Sequence, residues 1–308
     1  MLRAFFVRLS ENPSLRTFAE SSALGRRVSG RFVAGTEIAD AVRATQAVNR
    51  ASMSVTIDNL GENVANPEEA RHSGQLYQQV LEAIATHQLN ANISLKLTHM
   101  GLDVDERLAR EIVSGLVAKA ASLDPPGFVR VDMEGSPYTQ RTLDFVHELH
   151  AMPGNANAVG TVIQAYLRRS ESDVEKLLAE RIRIRLCKGA YKEPAEIAFP
   201  LKSDVDANYV KLMKILMKSG IYHGLATHDE SIIQQAQAFA IREKLSHDSF
   251  EFQMLYGIRR DLQRKLARDG WRVRIYIPFG SEWYPYFMRR LGERPANVLF
   301  IARNLLRS

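Results

Sequence analysis

The sequence predicts an α/β protein, a distorted eight-fold β/α (TIM-like) barrel with an N-terminal helical extension. Three observations carry that reading. Eight short β-rich runs alternate with segments of helical spacing. The length of 308 residues suits one barrel, a fold that routinely exceeds about 250 residues. No GxGxxG motif occurs, which removes the usual mark of an open dinucleotide-binding sheet.

The runs are taken in order. They read SVTIDNL (54–60), ISLKLTH (93–99), FVRVDME (128–134), VGTVIQAYL (159–167), IRIRLCKG (182–189), GLATHDE (224–230), FEFQML (250–255) and RVRIYIP (272–278). β-branched and aromatic residues dominate them, as strands require. Between them lie helical patterns. Pro67 opens one that reaches His87, Asp103 or Asp105 can cap the next, and Ser203 or Asp204 a later one. Residues 1–51 precede the first strand and read as helices, beginning with MLRAFFVRLS and ending with TEIADAVRATQAVNRAS. About fifty residues bury too little core to fold alone, so they are expected to pack on the barrel as an arm. Residues 52–308 then form the barrel, closed by an eighth helix at 282–293, and Pro295 opens a last helix.

Composition excludes several classes. Hydrophobic residues make up 45% and charged residues 25%, with 18 Gly and 11 Pro, which is ordinary for a globular protein and rules out disorder and collagen. No run of about 18 apolar residues is present to span a membrane. MLRAFFVRLS has a short apolar stretch and no obvious cleavage site, so it reads as part of the mature protein and the expected location is the bacterial cytoplasm. The one cysteine, Cys187, has no internal disulfide partner and reads as a filler of strand five. The net charge of +6 is spread among acidic residues, without a basic stripe, so no nucleic-acid partner is expected.

In a barrel, chemistry gathers at the C-terminal ends of the strands. Lys96, Asp132 and Arg185 stand in three different strands, and charges inside apolar strands are costly unless paired or functional. They point to a shared site, with Asp132 paired to Lys96 or Arg185. His99 and His228 lack a metal-site spacing, so no metal is expected. On the eighth helix, Tyr286, Arg289, Arg290 and Glu293 fall at i, i+3, i+4 and i+7, which is one face. Two adjacent guanidiniums beside tyrosines suit a small carboxylate or a phosphate. A larger-ligand flavin barrel, a phosphosugar aldolase barrel and a basic surface-binding protein remain open on these residues alone.

The motifs LKLTHMGLD, VRVDMEG, VIQAYLRRS, IRLCKGAYKEP, LATHDE, FEFQMLYG, RIYIPFG and YFMRRLGERPAN occur in that order over residues 93–297. Together they resemble the monofunctional bacterial proline dehydrogenases. The resemblance implies an FAD-dependent barrel flavoprotein of proline catabolism. Such an enzyme oxidises L-proline to 1-pyrroline-5-carboxylate, the first step of its breakdown to glutamate, and passes electrons to a membrane quinone. It implies non-covalent FAD, a cytoplasmic enzyme and peripheral contact with the inner face of the membrane. By motif position, Asp132 and Arg185 become central active-site residues, and Lys96, Tyr276, Tyr286, Arg289 and Arg290 hold the substrate. The cofactor neighbours become Met133, Gln164, Arg185, Lys188, Gly189, Ala190, Thr227, His228, Gln253 and Glu293. Two positions depart from the long bifunctional relatives: Lys192 stands where those carry Trp, and Asp229 where they carry Asn. The chain length leaves no room for the second enzyme of those relatives.

If Arg289 and Arg290 hold the substrate carboxylate, replacing either by Met removes one charge-assisted contact in a partly dry site. The expected cost is about 2–5 kcal/mol, a roughly 30-fold to several-thousand-fold loss in kcat/KM for proline, with flavin content retained. Steady-state kinetics and the flavin-to-protein absorbance ratio of Arg289→Met and Arg290→Met check this. Near-normal kcat/KM would make the helix face a solvated one, and loss of flavin would assign it to the cofactor.

Overall fold

The computed structural model describes residues 30–293, with side chains described as far as Met288. The helices expected before Gly30 and after Pro295 lie outside the described residues. Helix α1 (Ile38–Asn49) comes first, followed by eight strands that close into a parallel barrel in sequence order. The strands are β1 (Ser54–Asn59), β2 (Ala91–Leu95), β3 (Val129–Val131), β4 (Val159–Gln164), β5 (Arg183–Cys187), β6 (His223–Ala226), β7 (Phe250–Leu255) and β8 (Val273–Phe279). Helices α2 (Pro67–Thr86), α3 (Glu106–Ala121), α4 (Ser136–Ala151), α5 (Ser170–Ala179), α6 (Lys202–Lys218), α7 (Glu230–Arg242), α8 (Arg260–Arg268) and α9 (Trp283–Glu293) follow the strands in turn. β8 pairs with β1, with Thr56 opposite Tyr276, and this closes the cylinder.

Alternation along each strand sorts the side chains. One set faces the helices: Val55 and Ile57, Ile93 and Leu95, Val129 and Val131, Ile184 and Leu186, Phe250 and Phe252, Ile275 and Ile277 all belong to the main hydrophobic core. The other set faces the lumen, and it is polar. Thr56, Asn92, Ser94, Arg130, Arg185, Glu251 and Gln253 are all buried there. Barrel interiors are commonly filled by branched apolar chains; this one is filled by hydrogen bonds. Thr56 Oγ1 donates to Asn92 Oδ1 (2.6 Å), Arg130 Nη1 to the carbonyls of Thr161 (2.9 Å) and Arg183 (2.7 Å), and Arg274 Nε to Glu251 Oε1 (2.7 Å). Glu251 Oε2 accepts from Tyr222 Oη at 2.8 Å. Burial opposes the charge of the Glu251 carboxyl, and Arg274 outweighs it, holding the group below its ordinary range. Two glycines make room. A Cβ on Gly224 would lie 2.2 Å from Gln253 Nε2, and one on Gly160 would lie 2.3 Å from the Arg183 carbonyl.

Local signals explain the helix starts. Asn66 Oδ1 accepts from Glu69 N (3.0 Å), with Pro67 in the first turn of α2, and Asp105 Oδ1 accepts from Leu108 N (3.1 Å) to start α3. The cap expected at Ser203 or Asp204 is not formed. Helix α6 starts one residue earlier than Ser203, at Lys202, with Leu201 in the cap position and no side-chain cap bond.

The distortion lies at the end of the chain. Helix α1 packs against β8 and β1, the place a regular barrel gives its last helix. Helix α9 is displaced onto the mouth. Its Trp283, Tyr286 and Phe287 form a separate cluster with Phe32, with Leu60 just after β1, and with Ile258 in the loop after β7. Both of those loops leave C-terminal strand ends. The segment before α1 braces the same region: Ala34 N donates to Pro278 O, and Gly280 N to Gly35 O, each at 2.9 Å.

Candidate active site

Four strands bring their charges together at the mouth. Asp132 directly follows β3, and its backbone N–H donates to Leu95 O (2.8 Å), continuing the sheet. Its carboxylate takes three donors. Oδ1 accepts from Ser94 Oγ (2.6 Å) and Arg185 Nη1 (2.7 Å), and Oδ2 accepts from Tyr276 Oη (2.9 Å). Arg185 also donates from Nε to Gln253 Oε1 (2.5 Å) and from Nη1 to Ser94 Oγ (3.1 Å), and its guanidinium lies 5.2 Å from the centre of the Tyr276 ring. Asp132 therefore pairs with Arg185 by direct contact, and Ser94 completes the pair. Burial, followed by the carboxylates of Asp132 and Asp58, pushes the Tyr276 phenol well above its ordinary range, so it stays protonated and donates.

The ammonium of Lys96, one residue past β2, makes no hydrogen bond or ion pair with the described residues. Burial opposes its charge, and Asp58 first, then Asp132, outweigh that cost and hold the ammonium above its ordinary range. It lines a cavity of about 620 Å³ at the mouth, between the loop after β1, the start of α2 and the loop before α9. His99 lines the same cavity. Burial first, then Lys96, lowers its imidazole to about 4, so the ring is neutral at neutral pH.

Asp58 is a further member that the strand pattern exposed without giving it a role. It is 1% exposed on β1 and accepts from Tyr77 Oη at 3.2 Å. Burial raises its carboxyl to about 6, against the opposing pull of Lys96. Ser94 gave no charge signal. Its mark was a small polar residue at an inward position, two before Lys96.

The residues of strands four to six gather on the other side of the mouth. Gln164 is buried, and its Nε2 donates to Glu134 O (2.9 Å). Glu134 in turn accepts from Thr98 N (3.2 Å) and Oγ1 (2.7 Å), tying β3 to the loop after β2 beside buried Met133. Lys188 Nζ donates to Asp206 Oδ1 (2.5 Å) and Asp229 Oδ2 (2.8 Å). Asp229, one of the two departing positions, thus anchors Lys188 and caps α7 by accepting from Ser231 N (3.2 Å). Gly189 has φ +111, and a Cβ there would meet the Tyr166 ring at 2.2 Å. Ala190 follows it, exposed. Thr227 Oγ1 accepts from Asp229 N (3.0 Å), and His228 Nε2 accepts from Leu255 N (3.2 Å). His99 and His228 stand apart, and among the described residues no group of three His, Cys, Asp or Glu could hold a metal. Cys187 is half-buried against the core, and burial pushes its thiol up to about 12. Tyr286 is buried in the mouth cluster on α9, whereas the side chains of Arg289, Arg290 and Glu293 lie outside the described residues.

The proline dehydrogenase family model matches residues 41–303. The chain belongs to the proline dehydrogenase family. It is 41% identical over its whole length to proline dehydrogenase 1 of Bacillus subtilis strain 168, and the match covers all of that protein. It is 38% identical to the proline dehydrogenase of Deinococcus radiodurans, over 100% of this chain and 98% of that protein. Among solved structures, proline utilization A from Bdellovibrio bacteriovorus, inactivated by N-propargylglycine, superposes with a TM-score of 0.80 at 25% identity. That match covers 87% of this chain and 32% of the longer one. Membership makes the chain an oxidoreductase of the proline dehydrogenase type, as the ordered barrel motifs had indicated.

The Asp58 carboxyl of this proline dehydrogenase family member has a consequence for stability. Its folded value, about 6, lies above the ordinary value of 3.8, so the native state holds the proton more tightly than the unfolded chain. The contribution is favourable below about pH 4 and is lost as pH rises to about 6. Relative to Asp58→Asn, the wild type is expected to lose about 2–3 kcal/mol between about pH 4 and pH 7. Urea unfolding of both proteins at the two pH values checks this; a pH-independent difference would show that folding leaves the Asp58 carboxyl unshifted.

Proposed function

We propose that the chain oxidises L-proline to 1-pyrroline-5-carboxylate with non-covalently bound FAD and passes the electrons to a membrane quinone. The carrying observation is the convergence of Lys96, Asp132, Arg185 and Tyr276, from four strands, at one mouth covered by α9, in a chain of this family.

The residues of strands four to six suit a flavin. Gln164 spends its Nε2 on Glu134, and its side-chain Oε1 accepts nothing from the described residues, so it is available to a ring N–H. Gly189 leaves bare backbone beside the cations Arg185 and Lys188, with Ala190, Thr227, His228, Met133 and Gln253 around them. When bound, FAD supplies the acceptor for the hydride on the carbon beside the amine. Arg185, locked by Gln253, Ser94 and Asp132, supplies a fixed positive charge that favours an electron-rich ring. Glu293 belongs to this set by its motif position.

Lys96, which has no ion-pair partner among the described residues, is placed to meet a substrate carboxylate, and Arg289 and Arg290 join it in this reading. Tyr276 and Tyr286 present ring faces to the apolar part of proline, fixing its height and orientation. Asp132 is committed to three donors and acts by orienting Arg185 and Tyr276. The amine enters neutral, and no described residue is assigned to take its proton. The enzyme works in the cytoplasm with peripheral contact at the inner face of the membrane. No helix of the described residues is long and apolar enough to cross a membrane.

The purified protein is expected to be yellow, to release its flavin on acid precipitation, and to bleach anaerobically on addition of proline. Tetrahydrofuran-2-carboxylate keeps the carboxylate and ring but replaces the amine by an ether. It is expected to compete with proline at millimolar concentration and to leave the flavin oxidised. A colourless protein would defeat the cofactor assignment. Failure of the ether to compete would make the amine a recognition element and weaken the assignment of binding to the carboxylate and ring.

A further inference from the structure

The opposite end of the barrel carries a second cavity, of about 650 Å³, lined by residues of the loops that enter β4 to β8. These loops form the N-terminal face, away from the site described above. Four guanidiniums line it, those of Arg181, Arg183, Arg272 and Arg274, against the carboxylates of Glu180 and Asp248. The two acids are partly spent. Glu180 Oε2 contacts His147 Nδ1 (2.6 Å), while Asp248 accepts from the Ser246 hydroxyl and stands 3.6 Å from Arg272.

We propose that this cavity binds a small multivalent oxyanion, a compound carrying two or more carboxylate or phosphate groups, on Arg181, Arg183 and Arg272. Arg183 carries the argument. Its guanidinium lies over the rings of Phe128 (4.2 Å) and Tyr222 (5.0 Å), which fix its plane. Only its Nε is engaged, donating to Tyr222 O at a long 3.4 Å. Its two terminal nitrogens have no hydrogen-bond partner among the described residues, and no carboxylate is within ion-pair reach of it. A mostly buried guanidinium ordinarily has such a partner. Burial works against its charge, Glu251 relieves this in part, and Arg274 adds a smaller repulsion. Arg272 lies over the other shared ring, 5.7 Å from the Tyr222 centre. Arg181 holds φ +60, a left-handed conformation that costs a residue other than glycine, at the turn into β5, and its guanidinium too has no partner among the described residues. Arg274 is already satisfied by Glu251 and Val55 O and forms the floor.

The ligand class follows from the lining. Guanidinium forks match carboxylate and phosphate oxygens in pairs. Several of them around one cavity exceed what a single monovalent anion neutralises. Both anion chemistries share this recognition, so citrate and pyrophosphate serve as the two probes.

The test is isothermal titration of the full-length protein with each probe, at an ionic strength held constant with chloride. Saturable binding of one equivalent of either probe is expected. The Arg181→Ser/Arg272→Ser variant, altered at two exposed positions, should bind roughly tenfold or more weakly per guanidinium removed. Arg107→Ser/Arg264→Ser removes the same charge at exposed positions outside the cavity and should bind like the wild type. Binding of citrate alone identifies a polycarboxylate, and of pyrophosphate alone a phosphorylated ligand; either supports the site. Non-saturating heats with both probes overturn the proposal. So does equal weakening in the two double variants, which would reduce the effect to the net charge of +6.

Discussion

The ion pair between Arg185 and Asp132, set inside a barrel lumen, is the contact on which the remaining architecture depends. Both groups are largely withdrawn from water, with side-chain exposures of 7% and 14%. Such a pair costs more in desolvation than it returns unless its remaining donors and acceptors are filled. Here they are filled by Ser94, Gln253 and Tyr276 from three further strands. Gln253 passes the requirement on to Glu251, and Glu251 to Arg274 and Tyr222. One hydrogen-bonded chain therefore runs from the N-terminal face to the mouth. It fixes side-chain rotamers at the site through bonds rather than through apolar packing, and it requires Gly224 beside Gln253.

The second constraint is the placement of α9. A regular eighth helix would cover β8 and β1 from the side. Here α1 takes that flank, which frees α9 to lie over the strand ends. The aromatic residues of α9 seal against Phe32, Leu60 and Ile258, so its position depends on the loops after β1 and β7 and on the segment before α1. A mouth roofed in this way can exclude water from the lumen charges while leaving the cavity beside Lys96 to admit a small substrate.

Much of this was legible in the sequence, for physical reasons. Strands buried on both faces still alternate when the lumen is polar, so VRVD, IRIRL and VRIYI showed polar residues spaced by two. Lys96, Asp132 and Arg185 stood out as charges inside apolar strands, and Tyr276 by its motif position. The strand ends ran long because residues such as Met133 and Glu134 continue the apolar/polar alternation after the ladder has ended at Val131. The α6 cap was misplaced because Ser203 and Asp204 have the right chemistry, yet Leu201 takes the cap position. Ser94 and the Glu251–Arg274 pair were not recovered as a network. Which inward residues meet depends on the register of non-adjacent strands, and no local pattern contains that. Lys188 was visible as a cation, but its two carboxylate partners come from α6 and from the cap of α7, far away in sequence.

The claim that the lumen groups from Asp132 through Arg185, Gln253 and Glu251 to Arg274 form one connected network is tested most directly by a double-mutant cycle on Glu251 and Arg274, read by urea unfolding. Each of Glu251→Gln and Arg274→Met strands a buried charge and is expected to cost about 3–5 kcal/mol. The double variant removes both charges together and should cost less than the sum by at least about 1.5 kcal/mol. Additive losses, or single variants as stable as the wild type, would contradict the account.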